Sequence, residues 1–419
     1  MSATTTASDP RSDEGYTARG LVAGAGRPVW RAPLLAWAAS RLVVFVAAIA
    51  GSLWLGVPQG SYSDGAVPGA LKFLGSWDTD WYLNIARHGY SANAADVATH
   101  FSTFAFFPAL PLIMRIGEIT GTNPFVWGLV ASNLGFLAGL CAIRVLVADL
   151  WDERLAVCAV WVSAFLPAAT YAGLAYTDGL LFGITAIAAL AATRRHWAEA
   201  GLLAGVGVLL RPQGVLVVVL VVMLAWTIDG ASVGQRLRRS ALGIIPGVVA
   251  LVGFLAWMQH AHGSWSLPFR AQQAWKRTSP GLPALRGLWN EFQGLVTYPF
   301  SSDHRAVYEA CGHCTSVRAT GPARDVIGTI LMMALVVALA RFVGSWRSPW
   351  VIYSALAVLI PLNTGNFNSM LRFGLIAFPL AWPIAAWVSR GGRLRTGWTT
   401  AAAIVLMVAL TFQIYISPP

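Results

Sequence analysis

An all-α polytopic membrane protein is the fold class the sequence predicts, and three observations carry it. Of the 419 residues, 56% are hydrophobic and only 11% are charged, with a mean hydropathy of +0.61, whereas about a quarter of a soluble domain is charged. Apolar stretches near the length of a bilayer span recur along the chain. The 29 basic residues, all arginine except Lys72 and Lys276, are scattered between those stretches. The net charge of +11 therefore reads as membrane orientation. It excludes a nucleic-acid binder, which would show a basic stripe with stacking aromatics on a soluble domain.

Residues 1–32 come first. Up to Pro28 they are rich in Ser, Thr, Ala and Gly with no apolar core, so a disordered cytoplasmic tail is expected rather than a cleaved signal peptide. The remainder, 33–415, is read as one transmembrane domain. Its spans are expected at about 33–55, 125–148, 155–174, 178–193, 199–210, 214–227, 241–260, 325–342, 349–363, 370–388 and 397–415. Several are too short for a full crossing, which predicts tilting, kinking or half-helices. Phe104–Arg115 is apolar, but Pro108 and Pro111 interrupt it. It is read as lying in the interface or re-entering, not crossing.

Arginine-rich short loops fix the orientation. With the N-terminus inside, the inner side collects Arg27, Arg31, Arg41, Arg144, Arg154, Arg194, Arg195, Arg236, Arg238, Arg239, Arg341, Arg347, Arg390, Arg393 and Arg395. This requires a hairpin in 199–227, broken at Arg211-Pro212-Gln213-Gly214, where proline and glycine interrupt an apolar run. About eleven spans result. Outer loops then cover about 56–124 and 261–324, joined on that face by the turn Asn363–Met370 and the Tyr176-Thr177-Asp178 corner. No convincing internal repeat is present, which counts weakly against a secondary transporter.

The segment Ser76–Tyr90, SWDTDWYLNIARHGY, places Asp78 and Asp80 among Trp77, Trp81 and Tyr82 in the first outer loop. Carboxylates beside a membrane are costly and mark chemistry or ion binding. A turn or helix cap would explain one of them but not the aromatic setting. Arg211, between two apolar halves, must find an anion or carbonyls, and a ligand phosphate would serve. Asp178 is read either as its structural partner or as a substrate contact. Arg372 reads equally as a snorkelling arginine. Tyr82, Tyr90, Trp265 and Trp275 are able to stack on sugar rings, though interfacial aromatics are commonly belt residues.

Cys141 and Cys158 lie in apolar segments and read as small buried hydrophobes. Cys311 and Cys314 form CGHC near His304 and His313, with His260 and His262 upstream. A lone C-x-x-C lacks the second ligand pair of a zinc ribbon, so no metal is expected and a local disulfide is.

The pattern WD-x-x-WY-x-x-IA-x-x-GY followed by FFP-x-x-P resembles the first outer loop of the PIG-V type mannosyltransferases, membrane enzymes of GT-C architecture. It is carried by Trp77, Asp78, Trp81, Tyr82, Ile85, Ala86, Gly89, Tyr90, Phe106, Phe107, Pro108 and Pro111. Four further motifs follow in order. Tyr176-Thr177-Asp178 is similar to the family's Tyr-Ser-Glu, and Arg211-Pro212-Gln213-Gly214 to its Arg-Ser-Asn-Gly. Ala271, Gln272, Trp275 and Arg277 resemble Ala-Gln-x-x-Trp-Gly-Arg, and Ser369, Arg372 and Phe378-Pro379-Leu380 resemble Ser-x-x-Arg…Phe-Pro-Leu. The likeness spans roughly Ser40 to Trp382. Lys276, Phe373, Leu110 and Pro212-Gln213 depart from the pattern and bear on acceptor specificity.

The resemblance implies inverting transfer of mannose from a polyprenyl phosphate donor to a lipid or glycan hydroxyl at the outer face. No cofactor is expected, with a divalent-metal requirement left open. Asp78 is the expected general base. Because the departing lipid phosphate is a stable anion, cations rather than a general acid are required. Asp80, Tyr82, Tyr176, Asp178, Arg211, Gln272, Trp275, Lys276, Arg277 and Arg372 are the expected substrate-binding residues, with Arg270 a further candidate cation. The expected setting is a bacterial plasma membrane, on the Arg- and Ala-rich style of the chain. The rival reading is a transporter or lipid flippase with Asp78, Asp80 and Arg211 lining its path; a transferase-like assembly subunit is a third.

Overall fold

Backbone groups inside a bilayer have no water to bond, so apolar segments there satisfy themselves as helices. The computed structural model describes residues 28–56, 69–91, 96–227, 230–275, 277, 280–297, 320–367 and 369–416, and these fold without a β-strand. Helix α1 (Arg31–Leu55) is followed by a 3-10 turn at Gly69–Gly75, α2 (Asp78–His88) and α3 (Ala109–Thr120). Next come α4 (Pro124–Leu150), α5 (Glu153–Phe165), α6 (Thr177–Thr193), α7 (Trp197–Leu210), α8 (Val215–Thr227) and α9 (Val233–His262). Beyond α10 (Leu267–Ala271) and α11 (Leu282–Thr297) lie α12 (Thr320–Val343), α13 (Pro349–Leu362) and α14 (Met370–Phe373). The chain closes with α15 (Ala381–Ser389) and α16 (Arg393–Ile416).

Among the described residues, five helices (α1, α4, α9, α12 and α16) are long and apolar enough to cross a membrane. The number rises to seven if two bent pairs each make one span: α5 with Pro167–Gly173, bent 69°, and Met370–Ile376 with Phe378–Ser389, bent 92°. Shorter apolar helices are Thr177–Thr193, Trp197–Leu210, Pro212–Thr227 and Pro349–Leu362. The chain is thus an all-helical integral membrane protein, and every apolar segment expected from the sequence is a helix, a bent pair or a short helix. The 12 residues of α3 rise only about 18 Å, well short of the hydrocarbon thickness of about 30 Å.

Two details differ from expectation. Helix α9 begins at Val233, not near 241, because Ser232 and Gln235 form a reciprocal capping box and the arginine-rich stretch after it continues the helix; polarity alone does not end one. Arg41 does not gather with the terminal arginines. It lies within α1, donates to the Ala169 carbonyl at 2.8 Å and sits over the Phe136 ring at 4.9 Å. It therefore satisfies a backbone oxygen at the break after α5.

Close backbone approach holds the helices together, as expected where lipid removes much of the hydrophobic drive. A Cβ on Gly183 of α6 would stand 2.1 Å from the Gly135 carbonyl of α4. Contacts run in register from Gly201 to Leu242 and Gly205 to Pro246, but in reverse from Val218 to Gly247 and Val221 to Gly243. Helix α7 is therefore parallel to α9 and α8 antiparallel to it, which makes α7 and α8 a hairpin with its tip at Arg211.

The bundle has two distinct ends. At one, Trp77 Nε1 donates to the Ile414 carbonyl at 3.0 Å, Ser52 and Tyr415 share a 2.8 Å hydrogen bond and Ala175 N donates to the Leu74 carbonyl at 3.0 Å. At the other, Arg144 pairs with Glu153 and donates to the Pro28 carbonyl at 3.2 Å. There too Arg194 pairs with Asp149 at 2.9 Å and Arg239 sits over Trp197 at 5.3 Å. Loop arginines collect at this second end.

Candidate active site

Helix α2 begins on an unusual backbone. Trp77, its N-cap, has φ 56° and makes no side-chain cap, a left-handed conformation that strains a bulky residue. The indole bond to Ile414 helps to hold it. Asp78 is consequently the first helical residue and not the cap. Its side chain remains 24% exposed and contacts the guanidinium of Arg372 through Oδ2. The start of α2 favours a carboxylate, because its free N–H groups carry partial positive charge.

Asp178, the second residue of α6, also lies in a first helical turn and is fully buried. Its two oxygens hold two arginines: Oδ1 accepts from Arg211 Nη1 at 2.7 Å, and Oδ2 accepts from Arg372 Nε at 2.8 Å. Arg372 thereby bridges Asp78 and Asp178. Arg372 is 4% exposed and does not snorkel. Asp178 does pair with Arg211.

Arg211 reaches the site because the α7–α8 hairpin turns there. Gly214 permits that turn: a Cβ on it would lie 1.8 Å from the Gly207 carbonyl. The guanidinium also donates from Nε to Gln213 Oε1 at 3.0 Å and stacks over Phe373 at 4.8 Å. Arg277 approaches the same ring at 5.2 Å and donates to Thr364 Oγ1 at 2.9 Å. Three arginines therefore converge around Arg372-Phe373. Asp78, Asp178, Arg211 and Arg372 cancel in formal charge. Buried pairs of this kind are weak evidence for stability, and a cluster of them marks a candidate functional site.

Two tyrosines line the carboxylates. Tyr176, fully buried, donates its hydroxyl to the Ser76 carbonyl at 3.0 Å, accepts from Asp78 N at 3.4 Å and lies beneath Arg372 at 4.4 Å. It locks the Trp77–Asp78 turn to the head of α6. Tyr82, one turn along α2 from Asp78, has its hydroxyl 3.5 Å from Thr177 Oγ1. Burial, reinforced by the Asp78 charge, pushes the Tyr82 phenol up to about 12, so at neutral pH it is an uncharged hydrogen-bonding group.

The other sequence candidates stand farther out. Asp80 is two residues along α2, about 200° around the helix from Asp78, and faces elsewhere. Gln272 donates to the Ala105 carbonyl at 2.9 Å, joining α10 to the Thr103–Ala105 turn. Trp275 packs edge-on to Trp81 at 6.0 Å and Phe106 at 5.7 Å, with Trp81 stacked on Phe106. Tyr90 donates to the Phe106 carbonyl at 2.7 Å. Arg270 and Trp265 are exposed. Lys276, His304, Cys311, His313 and Cys314 lie outside the described residues. Among the described residues no group of three His, Cys, Asp or Glu gathers to hold a metal ion.

Sequence reasoning passed over Asp325, which is 1% exposed and accepts from Ser369 N at 3.3 Å and Leu371 N at 3.4 Å. A charged pair, Arg324-Asp325, at the head of an apolar span was the available signal.

No family model matches the chain. No curated protein matches it either. Among solved structures, the apo oligosaccharyltransferase of Archaeoglobus fulgidus is similar over 90% of this chain and 56% of its own, with a TM-score of 0.49 and 14% identity. The same organism's oligosaccharyltransferase AglB, in complex with an inhibitory peptide and a dolichol-phosphate, gives a TM-score of 0.43 at 14% identity over 92% of this chain and 56% of that one. ArnT from Cupriavidus metallidurans bound to undecaprenyl phosphate gives 0.40 at 14% identity, over 91% of this chain and 77% of its own. This chain spans about half the length of the oligosaccharyltransferases it matches.

Proposed function

We propose that the protein is a GT-C type glycosyltransferase that moves mannose from polyprenyl phosphate mannose to a lipid or glycan hydroxyl, with inversion. The observation that carries this reading is the Arg372 bridge between a partly exposed and a fully buried aspartate, with Arg211 on the second oxygen of Asp178. A partly exposed carboxylate bonded to Arg372, with Arg211 and Arg277 both stacked on the adjacent Phe373, offers both functions a phosphate-leaving displacement needs. The motif resemblance supplies the donor sugar.

In this mechanism the donor phosphodiester lies among Arg372, Arg211 and Arg277. The acceptor oxygen attacks the anomeric carbon, Asp78 takes its proton, and the bond from that carbon to the phosphate oxygen breaks. The polyprenyl phosphate leaves with the electron pair and an added negative charge, which the arginines stabilise. Arg372 turns toward the phosphate and frees Asp78 Oδ2 for the acceptor proton. Asp178 keeps both guanidiniums aimed, and Tyr176 holds the turn that presents Asp78.

The arginine-rich end of the bundle is assigned to the cytoplasm by the positive-inside rule. On that assignment the site faces outward, the N-terminus lies inside and the acceptor sits in the outer leaflet; the Arg- and Ala-rich style of the chain is what supports a bacterial plasma membrane. Residues 33–415 act as the catalytic domain.

The test is transfer by purified protein in nanodiscs, given radiolabelled polyprenyl phosphate mannose and a lipid extract. Wild type is expected to yield a labelled glycolipid or glycan. Asp78→Asn should fold and bind donor yet transfer at least about a hundredfold more slowly. Near wild-type transfer by Asp78→Asn removes Asp78 as the base. Flux of lipid in proteoliposomes without any covalent product would establish a transporter instead.

A further inference from the structure

We infer that Asp325 is a positioning residue for Arg372, setting the cation's place in the site from a helix that contributes no group to the chemistry. The inference rests on Arg372 binding the donor phosphate. Its own basis is the geometry around the four-residue helix α14.

A helix that short does not hold itself, because nucleation fixes several residues for one internal bond. Something outside must define it. Ser369, its N-cap, has φ +66° and no side-chain cap of its own, a backbone that costs a non-glycine residue free energy. The required hold comes from the head of α12. Asp325 Oδ2 accepts from Ser369 N at 3.3 Å and Oδ1 accepts from Leu371 N at 3.4 Å, across separations of 44 and 46 residues. Both bonds are long, so their pairing on one carboxylate sets the turn rather than either alone.

The carboxylate is itself fixed. Arg324 Nη2 donates to Oδ2 at 2.7 Å, which neutralises a charge that is 1% exposed. Arg372 is the next residue after Leu371. Its backbone is therefore anchored through Asp325, while its side chain is anchored by Asp178 and Asp78. Moving the turn by a fraction of an ångström moves the guanidinium off the line joining the two aspartates, and phosphate recognition is sensitive to that aim.

The experiment measures binding of radiolabelled decaprenyl phosphate to protein in nanodiscs, with thermal unfolding of each variant alongside. Arg324→Gln/Asp325→Asn removes both charges together and keeps side-chain size. It is expected to fold and to weaken binding by roughly tenfold to a hundredfold, the range for losing hydrogen bonds to a charged group. In an Arg372→Lys background the same double substitution should change binding by less than about threefold, because coupled residues do not add. Wild-type affinity in the double variant, or a full additive loss on Arg372→Lys, overturns the inference. Should the double variant fail to fold, Asp325→Glu keeps the charge and shifts the turn; weakened binding supports the inference and unchanged binding overturns it. Unchanged binding by Arg372→Ala would instead overturn the phosphate reading of the site, a separate outcome.

Discussion

Replacing Asp178 should cost this protein stability as well as activity, and the amount follows from its two partners. The side chain is fully buried and accepts from Arg211 at 2.7 Å and from Arg372 at 2.8 Å. Removing it leaves two guanidiniums and only Asp78 to balance them, hence one buried positive charge with no counter-charge in the quartet. Breaking a buried pair by deleting one partner costs about 3–5 kcal/mol. Because Asp178→Ala strips Arg211 of its counter-charge and takes one of the two carboxylates from Arg372, the upper end, about 5 kcal/mol, is expected. Asp178→Asn keeps one accepting oxygen and should lose about 3 kcal/mol. Asp178→Asn/Arg211→Gln restores neutrality and should recover most of that, even though a second contact has gone. The assay is unfolding in mixed micelles titrated with SDS, followed by tryptophan fluorescence. The reasoning is refuted if Asp178→Ala unfolds within about 0.5 kcal/mol of wild type, below the effect of an ordinary surface change, or if the double variant is less stable than Asp178→Asn alone. Asp78→Asn is the contrast: its partner retains Asp178 and its own side chain is 24% exposed, so a loss of only about 1 kcal/mol is expected.

Other perturbations read other parts of the site. Gly214→Ala sets a methyl against the Gly207 carbonyl and should destabilise by about 1–3 kcal/mol, with donor binding weakened because the tip carrying Arg211 moves; unchanged donor affinity would show that the hairpin tip does not aim Arg211. The Tyr82 phenol, raised from 10.0 to about 12, holds its proton in the fold while the unfolded chain loses it from pH 10 upward. Its contribution to stability is therefore present below pH 10 and falls away as pH climbs toward 12. Tyr82→Phe should consequently gain stability relative to wild type above pH 10, measured by thermal unfolding; a constant difference from pH 8 to 12 contradicts this. For orientation, a single cysteine at exposed Thr122 in a cysteine-free background should react with an impermeant maleimide added outside intact cells. One at Arg194 should react only after permeabilisation, and the reverse pattern would invert the assigned topology.

How far the site was legible depended on the range of the interaction. Hydropathy and its interruptions are local properties, so the helices and the break at Arg211-Pro212 were readable along the chain. The extension of α9 to Val233 was not, because a capping box can sustain a helix through polar sequence that hydropathy discards. The Asp78, Asp80 pair illustrates a second limit. Spacing marks both residues as costly, but only the helix start at Asp78 and its direction decide which one meets Arg372.

By itself the sequence determined that this chain lives in a membrane as helices, that its loop arginines collect at alternating connections, and that Asp78, Asp80 and Arg211 stand where a charge is costly, while Arg372 read equally as a snorkelling arginine. Only the tertiary structure decided who their partners are. Arg372 and Asp78 are 294 residues apart, and their meeting depends on how the heads of α2, α6 and α14 and the tip of the α7–α8 hairpin reach one end of the bundle. Asp325 makes the same point. Its buried carboxylate is visible in the chain as an anomaly, but its role is a hold on two distant amides. That placement comes from helix packing, which no local pattern of residues encodes.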